Sequence, residues 1–347
     1  MIKILAHGTA IFALLLALAN PVQAAVYDLP PEGQDVIGEV STVIASYDDT
    51  LVDIARRHGL GYQDIVRANP EVNVWVPGEG TEVILPTRFV LPPGPRTGLV
   101  LNLAEYRMYY FPPANEGEIA KVHTYPMSIG RMDWETPLGL TQIVAMAKNP
   151  AWYPPQSVRE EHAADGDPLP RIVPPGPDNP LGTRALRLGL PGYLIHGTNR
   201  PAGVGMRVSH GCIRMFPEDV EFLFDRIQVK TPVRIIDVPV KMGWEGETLV
   251  AEVHPLLEVP QRLPKQTEAT IEALDADVEL PDVEFLSKDP LTHMTEQFIA
   301  TTAERAAQLD WDIAEALVER SDGIPEAVGV SIKEAGIKNA ATSAAFE

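Results

Sequence analysis

Proline is the residue type that most limits how this chain can fold. It occupies 33 of 347 positions. Each proline removes a backbone donor and breaks a helix interior, so turn-rich β-structure with long loops is expected rather than a helical bundle. The length suffices for two or three domains, and a hydrophobic content of 45% supplies a core for each. The charge balance narrows the partners. Acidic residues outnumber basic ones 48 to 28, a formal net charge of −20. That argues against nucleic acid as a partner, because such affinity comes from Lys and Arg neutralising phosphates. It is also a poor match to an anionic membrane surface.

The first 24 residues read as a secretory signal. Lys3 supplies the positive start, Ile11 to Ala19 is an unbroken apolar run, and Asn20-Pro21 ends it. Val22-Gln23-Ala24 suits cleavage before Ala25. An apolar core of about ten residues is too short to span a bilayer, and no other stretch is apolar enough to do so. An exported chain with no stable membrane span is therefore expected, with the periplasm as its place.

Four regions follow. Residues 37–86 read as a β-α-α-β unit. Asp49-Thr50 caps a first helix through Leu51, Ile54 and Ala55, and His58-Gly59 ends it. Tyr62 to Asn69-Pro70 forms a second helix, with strands near 38–44 and 81–85. Asp49-Thr50-Leu51, Ile54-Ala55, Ile65, Asn69-Pro70 and Val83-Ile84-Leu85-Pro86 resemble a LysM module, a fold that binds the glycan of peptidoglycan or chitin. Leu91 to Arg96 is proline-rich and expected as a stiff spacer. Residues 98–237 are expected to be strand-rich, with strands at 99–103, 107–111, 122–130, 141–147, 193–196 and 233–238 and one good helix from Pro217 to Ile227. Within them, 150–180 carries nine prolines in 31 residues and is expected as an ordered lid. Residues 238–347 are expected as a partly helical, acidic extension: a strand pair at 244–253, a loose linker at 268–289, a helical stretch at 291–320 and a frayed end.

The chemistry centres on the chain's single cysteine, Cys212, in Ser209-His210-Gly211-Cys212-Ile213-Arg214. An exported protein that uses cysteine structurally needs pairs; a lone thiol beside histidines is a candidate nucleophile. Histidine suits the role of base because its pKa lies near operating pH. His210 is too close in sequence for good geometry with Cys212, whereas His196 lies on a separate strand and can face the sulfur. His196 is therefore the expected base and His210 a structural or substrate-contacting residue. Gly211 lets backbone pass close to substrate, and the Gly211 and Cys212 amides are candidates for an oxyanion hole. His196, His210 and Cys212 are also possible zinc ligands, but their spacing fits no standard finger and only one thiolate is present; no metal and no cofactor are expected.

The pairing of His196-Gly197-Thr198 with Ser209-His210-Gly211-Cys212-Ile213-Arg214 resembles the L,D-transpeptidase catalytic domain, the YkuD-type fold. The resemblance implies a mainly β architecture with a sandwich-like catalytic domain and a peptidoglycan stem tetrapeptide as acyl donor. It implies Cys212 as nucleophile and His196 as proton donor and acceptor. Ser209, His210 and Gly211 then shape the site, while Arg214, Gly197 and Thr198 contact substrate. Arg200 and Arg207 are further candidates for its anionic groups. The longer string from His196-Gly197-Thr198-Asn199-Arg200 to Gly205-Met206-Arg207-Val208-Ser209 is similar to a periplasmic subgroup of Gram-negative bacteria that carries a LysM-like unit. Several members of that subgroup attach an outer-membrane lipoprotein to peptidoglycan. Three acyl acceptors stay open: a second stem peptide, a lipoprotein lysine, or water. A non-catalytic wall-binding protein is the alternative from another class. A papain-like protease needs its cysteine ahead of its histidine; the order here is the reverse.

Overall fold

The computed structural model describes residues 25–115, 117–131, 134–257 and 289–332. The expected signal segment, nearly all of the acidic linker and the Ala-rich end beyond 332 lie outside the described residues. The fold is mainly β. In chain order the elements are β1 (Ala25–Asp28), β2 (Val36–Ile44), α1 (Leu51–Arg57), α2 (Tyr62–Ala68), β3 (Glu82–Val90), β4 (Gly98–Asn102), β5 (Arg107–Phe111), β6 (Lys121–Pro126), β7 (Ile129–Gly130) and β8 (Gly139–Lys148). Then come α3 (Gln156–Ala164), β9 (Arg184–Leu188), β10 (Leu194–His196), β11 (Arg207–Ser209), β12 (Ile213–Arg214), α4 (Pro217–Phe224), β13 (Pro232–Ile236), β14 (Val240–Glu245) and β15 (Thr248–Val253). The last are α5 (Pro290–Thr302), β16 (Ala307–Leu309), α6 (Trp311–Arg320) and β17 (Glu326–Ser331).

One nine-stranded mixed sheet, ordered β1-β6-β5-β4-β13-β8-β9-β10-β12, forms the centre. Strands β4 and β5 are buried at every position, which is why they read as continuous apolar runs rather than alternating ones. Each face has its own partner. Leu99, Leu101, Met108 and Tyr110 join a core with Val220 and Leu223 of α4. Val100, Tyr109 and Phe111 point the other way, into a core shared with Leu51, Ile54, Leu60, Ile65 and Val83 of the N-terminal unit. Helix α4 starts as its sequence dictates, with Pro217 in its first turn and Glu218 and Asp219 at the positive end of its dipole.

The N-terminal unit is β2-α1-α2-β3, its two strands paired antiparallel from Val36↔Val90 to Ile44↔Glu82. Thr50 caps α1 by accepting from the Asp53 amide at 3.0 Å. Asn69 ends α2 and ties it to β3, donating to the Ile84 carbonyl and accepting from the Ile84 amide. The proline-rich bridge is not a spacer between separate bodies. Leu91 is buried in the shared core, its amide donates to the Asp35 carbonyl, and Arg96 pairs with Asp35. The covered face of β4 and β5 leaves no gap for a free linker to span.

The region beyond 238 also departs from the expectation of a tail. Strands β14 and β15 form the expected pair, but β17 and β16 return to extend it into a four-stranded sheet, ordered β14-β15-β17-β16. Helices α5 and α6 bury Met294, Ala314 and Leu317 against it. The single helical stretch expected over 291–320 is therefore two helices with a strand between them. The interruption has a local cause: Asp310 caps α6 from outside, accepting from the Ile313 amide, so Ala307–Leu309 is free to pair with Gly329–Ser331. No helix among the described residues is long and apolar enough to cross a membrane.

A buried ionic cluster joins the three units. Lys241 of β14 is fully buried. It pairs with Glu105 and with Glu252 of β15, and donates to the Val90 carbonyl at 2.7 Å and the Tyr109 hydroxyl at 3.0 Å. His254 lies 2.7 Å from Glu252, and burial lowers its pKa to about 3, so its ring is neutral. Glu105, Glu252 and His254 are grouped closely enough to hold a cation, and the Lys241 ammonium is that cation. Two carboxylates share one ammonium, and burial raises both of their pKa values. Lys241→Met leaves buried charge uncompensated and is expected to cost about 3–5 kcal/mol of unfolding free energy by urea titration. Raised carboxyl pKa values mean that the folded state holds protons the unfolded state loses, so stability falls as pH rises. The deficit of the variant is expected to be smaller at pH 5 than at pH 8; equal deficits would refute the assignment.

Candidate active site

The strand pairing brings the two expected reactive residues together. Strands β10 and β12 run parallel, with Ile195 beside Ile213 and His196 beside Arg214. Ile195 and Ile213 point into the core. Alternation puts His196, Arg214 and the residue just before β12, Cys212, on the opposite face. Cys212 sits level with Leu194, diagonal to His196, which puts their Cα atoms roughly 8 Å apart from strand spacing and rise.

His196 is 4% exposed. Its Nδ1 lies 2.6 Å from the Gly197 carbonyl oxygen. A carbonyl can only accept, so Nδ1 carries the proton and Nε2 is left as the basic nitrogen. Burial, and then the charge of Arg214, lower its pKa to about 3. The ring is neutral at physiological pH. Cys212 is half-buried and its thiol donates to the Gly192 carbonyl at 3.6 Å. Burial pushes its pKa up, against the pull of the Leu194 backbone and Arg214. Thiol and imidazole are thus both neutral at rest, an acid and a base ready for proton transfer rather than a standing ion pair.

The loop between β11 and β12 is shaped by its side chains. Ser209, fully buried, donates its hydroxyl hydrogen to the Cys212 carbonyl and closes the turn. Gly211 has φ +92°, and a Cβ there would come within 2.8 Å of the Tyr193 ring; both facts demand glycine. Its carbonyl accepts from Thr136 Oγ1 at 2.9 Å, and Thr136 in turn accepts from the Gly130 amide. His210 packs edge-on against Trp134, with ring centroids 5.2 Å apart. Its Nε2 lies 3.0 Å from Glu161.

Glu161 belongs to α3, in the middle of the proline-rich 150–180 segment. That segment is ordered and carries a helix that its prolines did not announce. It is closed on itself by a Trp152–Val173 bridge and by Asn179, which donates to the carbonyls of Pro150, Val173 and Pro174. Glu161 also pairs with Arg131, which holds its carboxyl below the usual range. The helix is therefore pinned onto the loop before Cys212 through Arg131 and His210. Thr136, Tyr193, Trp134 and Glu161 escaped the sequence reading as site residues because they come from two separate loops and a helix, with no spacing in common with Cys212.

Gly197 and Thr198 have local tasks. The Gly197 carbonyl fixes the His196 tautomer, and Thr198, buried, accepts the Arg200 amide at 3.0 Å. Arg207 is spread between the Gly130 carbonyl and Glu135. Arg214 differs. It is half-buried, its guanidinium bonds no acceptor among the described residues, and its pKa is lowered by burial and by Arg200 despite the nearby Cys212. A half-desolvated cation level with His196, in a chain of net charge −20, has the charge and the donors to seat an anion.

With the thiol raised and the imidazole neutral, alkylation of Cys212 by iodoacetamide is expected to show a pH midpoint above the free-thiol value of about 8.5. His196→Asn should leave that midpoint nearly unchanged. A midpoint below 7 that rises in His196→Asn would mean a standing thiolate–imidazolium pair.

Comparisons with known proteins agree with this arrangement. Residues 96–235 match the L,D-transpeptidase catalytic domain family YkuD. The chain is 40% identical over 264 residues to "Probable L,D-transpeptidase YcfS" of Escherichia coli, a match covering 73% of this chain and 81% of that protein. It is 40% identical over 239 residues to "Probable L,D-transpeptidase ErfK/SrfK" of the same organism, covering 68% and 75%. A third, "Probable L,D-transpeptidase YbiS", is 38% identical over 244 residues, covering 69% and 78%. Relatives of that identity, covered over three quarters or more of their own length, show the family: the chain belongs to the L,D-transpeptidase family.

Proposed function

We propose that this chain is a peptidoglycan L,D-transpeptidase working in the periplasm through a Cys212 thioester. The observation that carries the reading is the His196 tautomer: a neutral imidazole with its Nδ1 proton held by Gly197, one strand away from the only thiol in the chain. In the first half-reaction, Cys212 Sγ attacks the carbonyl carbon of the third residue of a stem tetrapeptide and its proton passes to His196 Nε2. The carbon–nitrogen bond to the terminal D-alanine breaks, and His196 returns the proton to the leaving amine. The acyl group stays on sulfur. In the second half-reaction an acceptor amine gives its proton to His196 and attacks the thioester carbon. An amide forms and the thiol is restored.

Transient negative charge on the attacked carbonyl oxygen needs donors. The Gly211 and Cys212 amides bond no acceptor among the described residues and lie on the nucleophile's own turn. Arg214 holds a carboxylate of the stem peptide by charge-assisted hydrogen bonds. The LysM-like unit keeps the enzyme on a polymer for which a single stem peptide binds weakly, and the expected signal segment delivers it there. The acceptor amine is a second stem peptide or a lipoprotein lysine; water in its place makes the chain a carboxypeptidase.

Incubation with purified disaccharide-tetrapeptide is expected to release D-alanine and leave an acyl adduct on the protein by mass spectrometry. Cys212→Ala should give neither, and the same adduct on that variant would refute the nucleophile. His196→Asn is expected to slow acylation by about 10²–10⁴-fold, the usual weight of general acid–base catalysis. Arg214→Ala should raise KM for the tetrapeptide by roughly 10–100-fold, the weight of a charged hydrogen bond, with a smaller change in kcat. Dimers among the products select the stem-peptide acceptor, and trimmed tripeptide alone selects water.

A further inference from the structure

The segment that separates His196 from Cys212 is held in place from outside the catalytic domain. From β10 the chain runs through residues 201–206 into β11 and so to the Cys212 turn. Its outer side rests on the start of α2 in the N-terminal unit. The Tyr62 amide donates to the Val204 carbonyl at 2.9 Å and the Gln63 amide to the Gly205 carbonyl at 3.4 Å. The backbones touch there. A Cβ on Gly61 would lie 2.8 Å from the Gly205 Cα and 3.1 Å from the Pro126 Cβ, and a Cβ on Gly205 would lie 2.4 Å from the Tyr62 nitrogen. Both positions therefore require glycine for close approach.

The start of α2 is itself fixed from below. The Gly61 amide donates to Asp64 Oδ2 at 2.8 Å. The same oxygen accepts from Arg107 of β5 at 2.6 Å. Arg107 is 1% exposed, and it also donates to the Gly59 carbonyl and to Thr124. The central sheet thus sets the height of α2, and α2 sets the height of the loop. On the loop's inner side, Ser128 Oγ donates to the Gly203 carbonyl at 2.7 Å and the Ile129 amide to the Met206 carbonyl at 3.2 Å. The Arg131 amide continues the row to the Ser209 carbonyl at 3.0 Å. The loop is clamped between two walls, and one of them is the N-terminal unit.

We propose that the N-terminal β-α-α-β unit is a positioning element of the active site as well as a tether. Gly61, Asp64 and Arg107 hold the 201–209 segment, and through it the separation of Cys212 from His196. This rests on Cys212 and His196 being the reacting pair. Thiol and imidazole sit diagonally, so a loop displaced by a fraction of an ångström changes the distance over which the proton must pass, and proton transfer is steeply sensitive to that distance.

Gly61→Ala is the sharpest probe, because Gly61 has φ −90° and alanine there strains only the contacts with Gly205 and, less tightly, Pro126. Acylation by a carbapenem, followed by mass spectrometry over a range of drug concentrations, separates binding from the chemical step. Gly61→Ala is expected to lower the limiting acylation rate at least tenfold while half-saturation stays within threefold. Asp64→Asn, which loosens the cap without adding volume, should act in the same direction. Arg56→Gln removes a polar link between the units that lies away from the loop, the two-pronged Arg56–Glu218 pair; both constants should stay within twofold. The proposal is overturned if Gly61→Ala and Asp64→Asn melt and acylate like the wild type, or if Arg56→Gln slows the reaction as much as they do. If Gly61→Ala does not fold, Asp64→Asn decides alone. A wild-type chain that takes no carbapenem would instead sink the transpeptidase reading.

Discussion

Strands β4 and β5 have no solvent face, and the rest of the molecule follows from that. A five-residue strand buried on both sides must be covered twice. One cover is α4 and the inner surface of the curled sheet. The other is the β2-α1-α2-β3 unit, whose apolar residues merge with Val100, Tyr109 and Phe111. The N-terminal unit is thus part of the catalytic domain's core. Deleting it would expose a row of large side chains, at roughly 1.5–3 kcal/mol for each one uncovered.

Burial on that scale also explains the two enclosed cations. Arg107 and Lys241 lie where the N-terminal unit, the sheet and the C-terminal sheet meet. Neither is paired with one acid alone. Arg107 meets Asp64, Thr124, the Gly59 carbonyl and the face of Phe89 at 4.2 Å. Lys241 meets two carboxylates, a carbonyl and a phenol. A desolvated charge persists only when its donors are nearly all satisfied. Such sites tolerate little displacement, so they fix the relative position of the units they join.

The candidate active site uses the opposite device. Its polar groups are left partly unsatisfied. Arg214 faces outward with no acceptor among the described residues, the amides beside Cys212 have none either, and the thiol and imidazole are both neutral. Around this open set stands a closed frame: Ser209 on the Cys212 carbonyl, Thr136 on the Gly211 carbonyl, and Glu161 between Arg131 and His210. A rigid surround with unfilled donors at its centre is the arrangement in which developing charge is stabilised without reorganisation.

The sequence by itself determined the character of the fold and which residues are the candidates to react. A lone cysteine has no partner for a disulfide, and Ser209-His210-Gly211-Cys212 with His196 upstream marks a candidate pair because those residue types can perform that chemistry. Proline content and short apolar runs marked the strand-rich middle, and Pro217 with its acidic neighbours marked α4. Only the tertiary structure decided the rest. The helix inside 150–180 was hidden because its residues are polar, with Val158 alone buried, and proline dominates the flanks. The C-terminal strands were hidden because Ala307–Leu309 and Glu326–Ser331 are too short to show a period and gain their pairing from each other, across α6, and from the distant β15. The choice of His196 tautomer, the roles of Thr136 and Glu161, and the grip of α2 on the 201–206 loop have the same origin. Each depends on which backbone groups meet across distant parts of the chain, and local spacing carries no record of that meeting.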